Sequence, residues 1–121
     1  MSIETDLMKN VMNNTDVVLF IKDENGRFVM ANHGFEKMFK LTKDKIVGKS
    51  DSDLVSKPED LKSYRDNDMR VLKEDKPIAF TEFVDLPDGR HKCISYKFPV
   101  TNISGVKRGV GCVAIDITRV G

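Results

Sequence analysis

Hydrophobic positions along the chain follow three spacings, and each predicts a different kind of element. Near the N-terminus Ile3, Leu7 and Val11 repeat every four residues, with Met8 and Met12 beside them, which predicts a short amphipathic helix over about 3–14. A helix this short is marginal alone and needs a surface to pack on. Val17–Ile21 is a continuous apolar run, as in a strand buried on both faces. Asp23-Glu-Asn-Gly26 reads as a turn, and Arg27–Ala31 as the returning strand of a hairpin.

A helical block follows. Asn32 suits an N-cap, and Phe35, Met38 and Phe39 form the apolar side of the helix after it. Residues 41–48 predict a short connector closed by Gly48, and Ser50, Asp51, Ser52 and Asp53 a cap and turn cluster. Pro58 stands where a first helical turn tolerates proline, followed by the acidic pair Glu59 and Asp60, so a helix is expected to about Asp75. Its inward stripe is Leu61, Tyr64, Asp68, Val71 and Leu72, in which Asp68 is the one irregularity.

The last third alternates with period two. Ile78–Leu86 predicts a strand and Pro87-Asp-Gly89 a turn. Lys92–Val100 follows with Ile94, Tyr96, Phe98 and Val100 expected inward and Cys93, Ser95 and Lys97 outward. After a turn at 102–105, the closing strand Gly109–Ile117 is apolar on both parities. Tight turns make the last three strands antiparallel. Strands flanking a helical block, rather than alternating with helices, give an α+β architecture. Only the first and last strands are greasy on both faces, so they belong at the sheet centre, with the N-terminal helix or a partner molecule over their second face.

Composition narrows the class. A chain of 121 residues with 40% hydrophobic and 32% charged residues fits one globular domain, 1–121, with a core over about 16–118. A net charge of +1, with acidic residues matching the lysines along the chain, argues against a nucleic-acid partner. Cys93 and Cys112 are too few for a disulfide framework, which suits a reduced, cytoplasmic setting. No apolar run reaches the ~20 residues of a membrane span, so no membrane contact by this segment is expected, which leaves a membrane anchor elsewhere in the parent protein open.

The hairpin Phe20-Ile-Lys-Asp23-Glu-Asn-Gly26-Arg-Phe-Val-Met-Ala-Asn32, the helix Phe35-Glu-Lys-Met-Phe39, the Ile46-Val-Gly48-Lys connector, the Asp88-Gly89 turn and the closing Gly-Cys-Val-Ala-Ile-Asp116-Ile-Thr118 together resemble the PAS domain family, from about residue 5 to 119. The resemblance implies a profilin-like five-stranded antiparallel sheet with helices cupped over one face. It also implies a sensor or interaction module of a bacterial or archaeal signalling protein, upstream of an output such as a histidine kinase of a two-component system or a diguanylate cyclase. In that family the segment corresponding to Asp116 and Thr118 leads into a signalling helix, so these two residues are expected at a signal junction, with the chain cut before its output domain.

Candidate chemistry is sparse. Phe39, Leu54, Leu61, Tyr64, Tyr96 and Phe98 are expected to converge between sheet and helices, either as filled core or around a small-molecule cavity. Buried Asp68 must be paired, solvated or bound to something, with Arg65, Arg70, Tyr64 or Tyr96 as candidate partners. A haem-binding relative needs an axial histidine, typically from the long helix, and 58–75 has none. His33 and His91 read as surface residues. A covalent-flavin photosensor needs a cysteine near 50–55, where Lys49-Ser-Asp-Ser-Asp-Leu54 has none, so the cofactor stays unknown. Asp51 and Asp53 are too few for a cation cage and read as helix caps; no metal is expected. No catalytic Ser-His-Asp or Cys-His set is supported, so an enzyme is not expected. The expected mode is a homodimer through Ile3, Leu7, Val11 and the outward face of the central strands, regulated by a small ligand. Alternatives are a ligand-free dimerisation module and a small enzyme using Asp68 as acid or base.

Overall fold

The computed structural model of the chain describes residues 2–103 and 105–118, apart from the side chain of Val11. Helix α1 (Ile3–Asn14) starts at Ser2, whose hydroxyl accepts from Thr5 N at 3.1 Å. Strands β1 (Val18–Asp23) and β2 (Phe28–Ala31) form the hairpin. Its turn is held by Asp23, whose carboxylate accepts from Asn25 N and Arg27 N, and by Gly26 at φ 79°, which needs a residue without a Cβ.

Asn32 then does two jobs. Its carbonyl oxygen caps α2 (His33–Phe39) at Phe35 N, 3.0 Å away, and also accepts from Leu19 N, while its amide donates to Val17 O. The helix is thereby fastened to β1. A Cβ on Gly34 would lie 2.3 Å from Val17 O, so only glycine permits this approach. A 3₁₀ turn at Lys43–Lys45 leads to the short α3 (Asp51–Leu54), where Ser50 and Asp53 form a capping box. Helix α4 (Pro58–Glu74) opens on proline and ends at Asp75 in the left-handed region.

Strands β3 (Ile78–Leu86), β4 (Gly89–Ile103) and β5 (Val106–Asp116) complete one antiparallel sheet in the order β2-β1-β5-β4-β3. The two doubly apolar strands, β1 and β5, are neighbours in the middle, as their pattern requires, and Phe20 pairs with Cys112. The core lies under the helices. Val18, Phe28, Ala31, Phe35, Ile46, Cys112 and Ala114 form one cluster, and Val71, Leu72 and Val110 a second.

Strand β4 corrects the sequence reading. Cys93, Ser95 and Lys97, expected outside, are buried beneath the helices. Ile94, Tyr96 and Phe98, expected inside, point to the opposite face, where Tyr96 stays 48% exposed. Alternation alone names two faces without saying which is the core. The polar set turns inward because Lys97 finds acidic partners there. Phe98 turns outward over Gly111, where a Cβ would sit 2.5 Å from its ring. The second sheet face therefore stays open. Helix α1 packs against α2 with Ile3 and Leu7 exposed, and Ile115 on β5 is 50% exposed.

Candidate functional site

Between the sheet and helices α2, α3 and α4 lies a cavity of about 70 Å³. Its apolar half is aromatic. Phe20, Phe28 and Phe35 meet edge to face with centroids 5.1–5.7 Å apart, and Phe39 lies 4.8 Å from Phe35. Leu54 and Tyr64 also line it.

The other half is charged. Lys22, 2% exposed, projects from β1 and Lys97, 1% exposed, from β4. Lys22 Nζ lies 2.6 Å from Asp51 Oδ2 and 2.9 Å from Asp68 Oδ2. Lys97 Nζ lies 2.7 Å from Asp68 Oδ1 and 2.7 Å from Glu82 Oε2. Asn67 donates a further bond to Glu82. The Lys22 ammonium also stands 5.3 and 5.2 Å from the ring centroids of Phe20 and Phe28, within cation–π range. Lysines this buried persist only when paired.

The carboxylates are not equivalent. Burial pushes the Asp68 carboxyl upward, but the two ammonium groups outweigh it and hold it below the usual carboxylate range. At Asp51 burial wins over the single ammonium of Lys22, and the carboxyl is raised. Burial opposes the charge of Lys97, yet Asp68 and Glu82 raise its ammonium above the ordinary lysine value. Burial, then the charge of Asp60, raises the Tyr64 phenol, which donates to the Phe83 carbonyl.

The structure brings together Phe39, Leu54, Tyr64 and, just behind the cavity wall, Asp68. Leu61 lines a separate groove between α4 and the β1–β2 turn, and Tyr96 and Phe98 lie across the sheet. The partners of Asp68 are Lys22 and Lys97, not Arg65, Arg70 or a tyrosine; Arg70 pairs with Glu74. Held ionised between two ammonium groups, Asp68 lacks the raised pKa that acid–base catalysis at this position requires. Asp51 is not a cap, since Ser50 and Asp53 supply it; its carboxylate goes to Lys22. Sequence reasoning missed Lys22, Lys97, Glu82 and Asp51. The signal was a lysine abutting each of two apolar strand patterns, with carboxylates elsewhere to match.

Cys93 and Cys112 are free and buried, and burial pushes their thiols up to about 11 and about 12. His91 is not a free surface histidine. Nδ1 lies 2.6 Å from Asp116 and Nε2 2.6 Å from Asp88, and these hydrogen bonds raise its pKa. Asp116 also accepts from Thr118 N, while Thr118 Oγ accepts from Lys92 N and Ile117 N donates to Lys92 O. The expected junction residues thus fasten the end of β5 to the start of β4. Among the described residues no helix is long and apolar enough to cross a membrane.

Five strands in this order, a helical cup on one face and a cavity beneath it define a PAS fold. The family model of the PAS fold matches residues 12–120, and the chain belongs to that family. No curated protein matches. Among solved structures, the chain is similar to a Vibrio cholerae VqmA–ligand–DNA complex (20% identity, TM-score 0.79, 98% of this chain and 52% of that one). It is also similar to the PAS domain of Bordetella pertussis BvgS (21% identity, TM-score 0.72, 98% and 90%). A third neighbour is a Rhodobacter sphaeroides LOV protein (17% identity, TM-score 0.71, 100% and 71%). The chain spans about half the length of VqmA. PAS domains are sensory and signalling modules that commonly dimerise and bind small ligands.

Proposed function

We propose that this domain is a small-ligand sensor that controls an output joined to it beyond Thr118. The observation that carries the reading is the cavity, half phenyl and half charged, under the helical cup. Charged groups cost several kcal/mol each to bury, and here they sit at a void rather than in packed core. A ligand that prefers one arrangement of sheet and helices shifts the population toward it. The Asp116–Thr118 junction, tied to β4, passes that shift on. A histidine kinase or diguanylate cyclase fits as output. A DNA-binding output is a further option, because the VqmA complex contains both ligand and DNA.

Dimerisation is the second reading, and the open faces favour it. Ile3, Leu7 and Met8 on α1, and Tyr96 and Ile115 on the sheet, are exposed apolar groups without cover among the described residues. We place a homodimer interface there, with Ile3 and Leu7 contributing; Val11, expected in the same stripe, has a side chain outside the described ones. Native mass spectrometry of the purified domain tests both readings. A bound small molecule supports the sensor, and its absence in every preparation, with a dimer present, supports a ligand-free dimerisation module. A monomer at high concentration removes the interface.

A further inference from the structure

We infer that the ligand is a small organic acid, and that Asp51 occupies in its absence the place at Lys22 Nζ that the ligand's carboxylate takes when bound. This rests on the ligand-sensor reading above.

Lys22, Lys97, Asp68 and Glu82 form a closed set of two cations and two anions, held on β1, β4, α4 and β3. Charge balance is complete without Asp51. That fifth member comes from α3, a helix of only four residues, and its side chain keeps 22% of its surface exposed whereas Lys22 keeps 2%. Asp51 is the member nearest to water, and it has one cation to itself only in part, because Asp68 shares Lys22. Burial already disfavours its charge. Moving Asp51 outward returns a carboxylate to solvent and leaves Lys22 with an unfilled donor at the cavity wall.

An acid entering the cavity restores what Asp51 gave. Its carboxylate replaces one anion with another, so the net charge of the buried set is unchanged. Its hydrocarbon body lies against Phe20, Phe28 and Phe35. The volume is about 70 Å³, against the ~150 Å³ of a cavity that admits benzene, so the ligand is a short acid, or a compact aromatic one if α3 swings away with Asp51. An ammonium ligand fits less well, because the cation position over Phe20 and Phe28 is already held by Lys22.

The experiment titrates the domain at pH 7 with propionate and benzoate, with propylamine and benzylamine, and with propanol and benzyl alcohol, by calorimetry and by NMR of lysine-labelled protein. The wild type and Asp51→Asn are compared; Asn keeps the shape and gives up the charge at a part-exposed position. Expected is binding of an acid alone, a shift of the Lys22 side-chain signals, and affinity raised roughly tenfold in Asp51→Asn, because the competing carboxylate is gone. Equal or weaker acid binding by Asp51→Asn overturns the inference. Preferential binding of an amine or alcohol overturns it too, while the sensor reading stands. If no probe binds either protein, the inference is overturned, and the sensor reading is decided separately by the mass-spectrometric search for a bound molecule.

Discussion

Lys97 Nζ on β4 lies 2.7 Å from Asp68 Oδ1 on α4, and this contact joins helix to sheet through Lys97, the least exposed charge among the described residues. Removing Lys97 leaves Asp51, Asp68 and Glu82 with Lys22 as their one ammonium. Lys97→Met is therefore expected to lose about 3–5 kcal/mol in urea unfolding. Asp68→Ala, which leaves Lys22 with Asp51 and Lys97 with Glu82, is expected to cost clearly less. Equal losses would mean that the pairing is not what holds α4 down.

Acid unfolding follows from the same group. The Asp68 carboxyl is lowered in the folded state, so its contribution is fully present above the ordinary value of 3.8 and fades as pH falls through the lower folded value. Urea midpoints measured from pH 5 downward should fall less steeply in Asp68→Asn than in the wild type.

His91 works in the opposite direction. Its pKa is raised by Asp88 and then Asp116, so the stabilisation is complete below 6.5 and is lost as pH rises through the higher folded value. Melting temperature should decline over that window in the wild type and stay flatter in His91→Gln. An NMR titration that placed the His91 midpoint below 6.5 would contradict this.

The open sheet face gives a prediction about assembly. Ile115→Lys changes an exposed position, so the domain should still fold, yet on the proposed homodimer reading sedimentation should shift from dimer toward monomer. An unaltered dimer would put the interface elsewhere.

Backbone contact between the two central strands sets a steric limit. A Cβ on Gly109 would stand 2.1 Å from Lys22 O, against the backbone of Lys22 and Asp23. Gly109→Ala is expected to destabilise by about 1–3 kcal/mol and to disturb the Lys22 position. Circular dichroism melts check the first effect, and lysine NMR signals the second.

The architecture was legible where a pattern had one physical solution. Val17–Ile21 and Gly109–Ile117 are apolar on both parities, and only neighbouring central strands suit them. Asn32, Ser50 and Pro58 marked their helix starts because unsatisfied backbone donors demand those residue types. The site was harder to read. In β4 the set Ile94, Tyr96, Phe98 and the set Cys93, Ser95, Lys97 fit the same period, and hydrophobicity pointed the wrong way because the outer face is apolar as well. What decided it was a long-range ionic match between Lys97, Asp68 and Glu82, which lie 29 and 15 positions apart in sequence and carry no periodic mark.

Strand β4 runs from Gly89 to Ile103, the longest in the sheet, and carries Lys97 in its middle and Lys92 near one end. Five residues of extended chain, about 17 Å, separate the ammonium at the cavity from the backbone that grips Ile117 and Thr118. A stiff ribbon of that length transmits sliding or tilting with little loss. On the proposed sensor reading, a ligand that tugs on Lys97 moves the end of β5 through this ribbon.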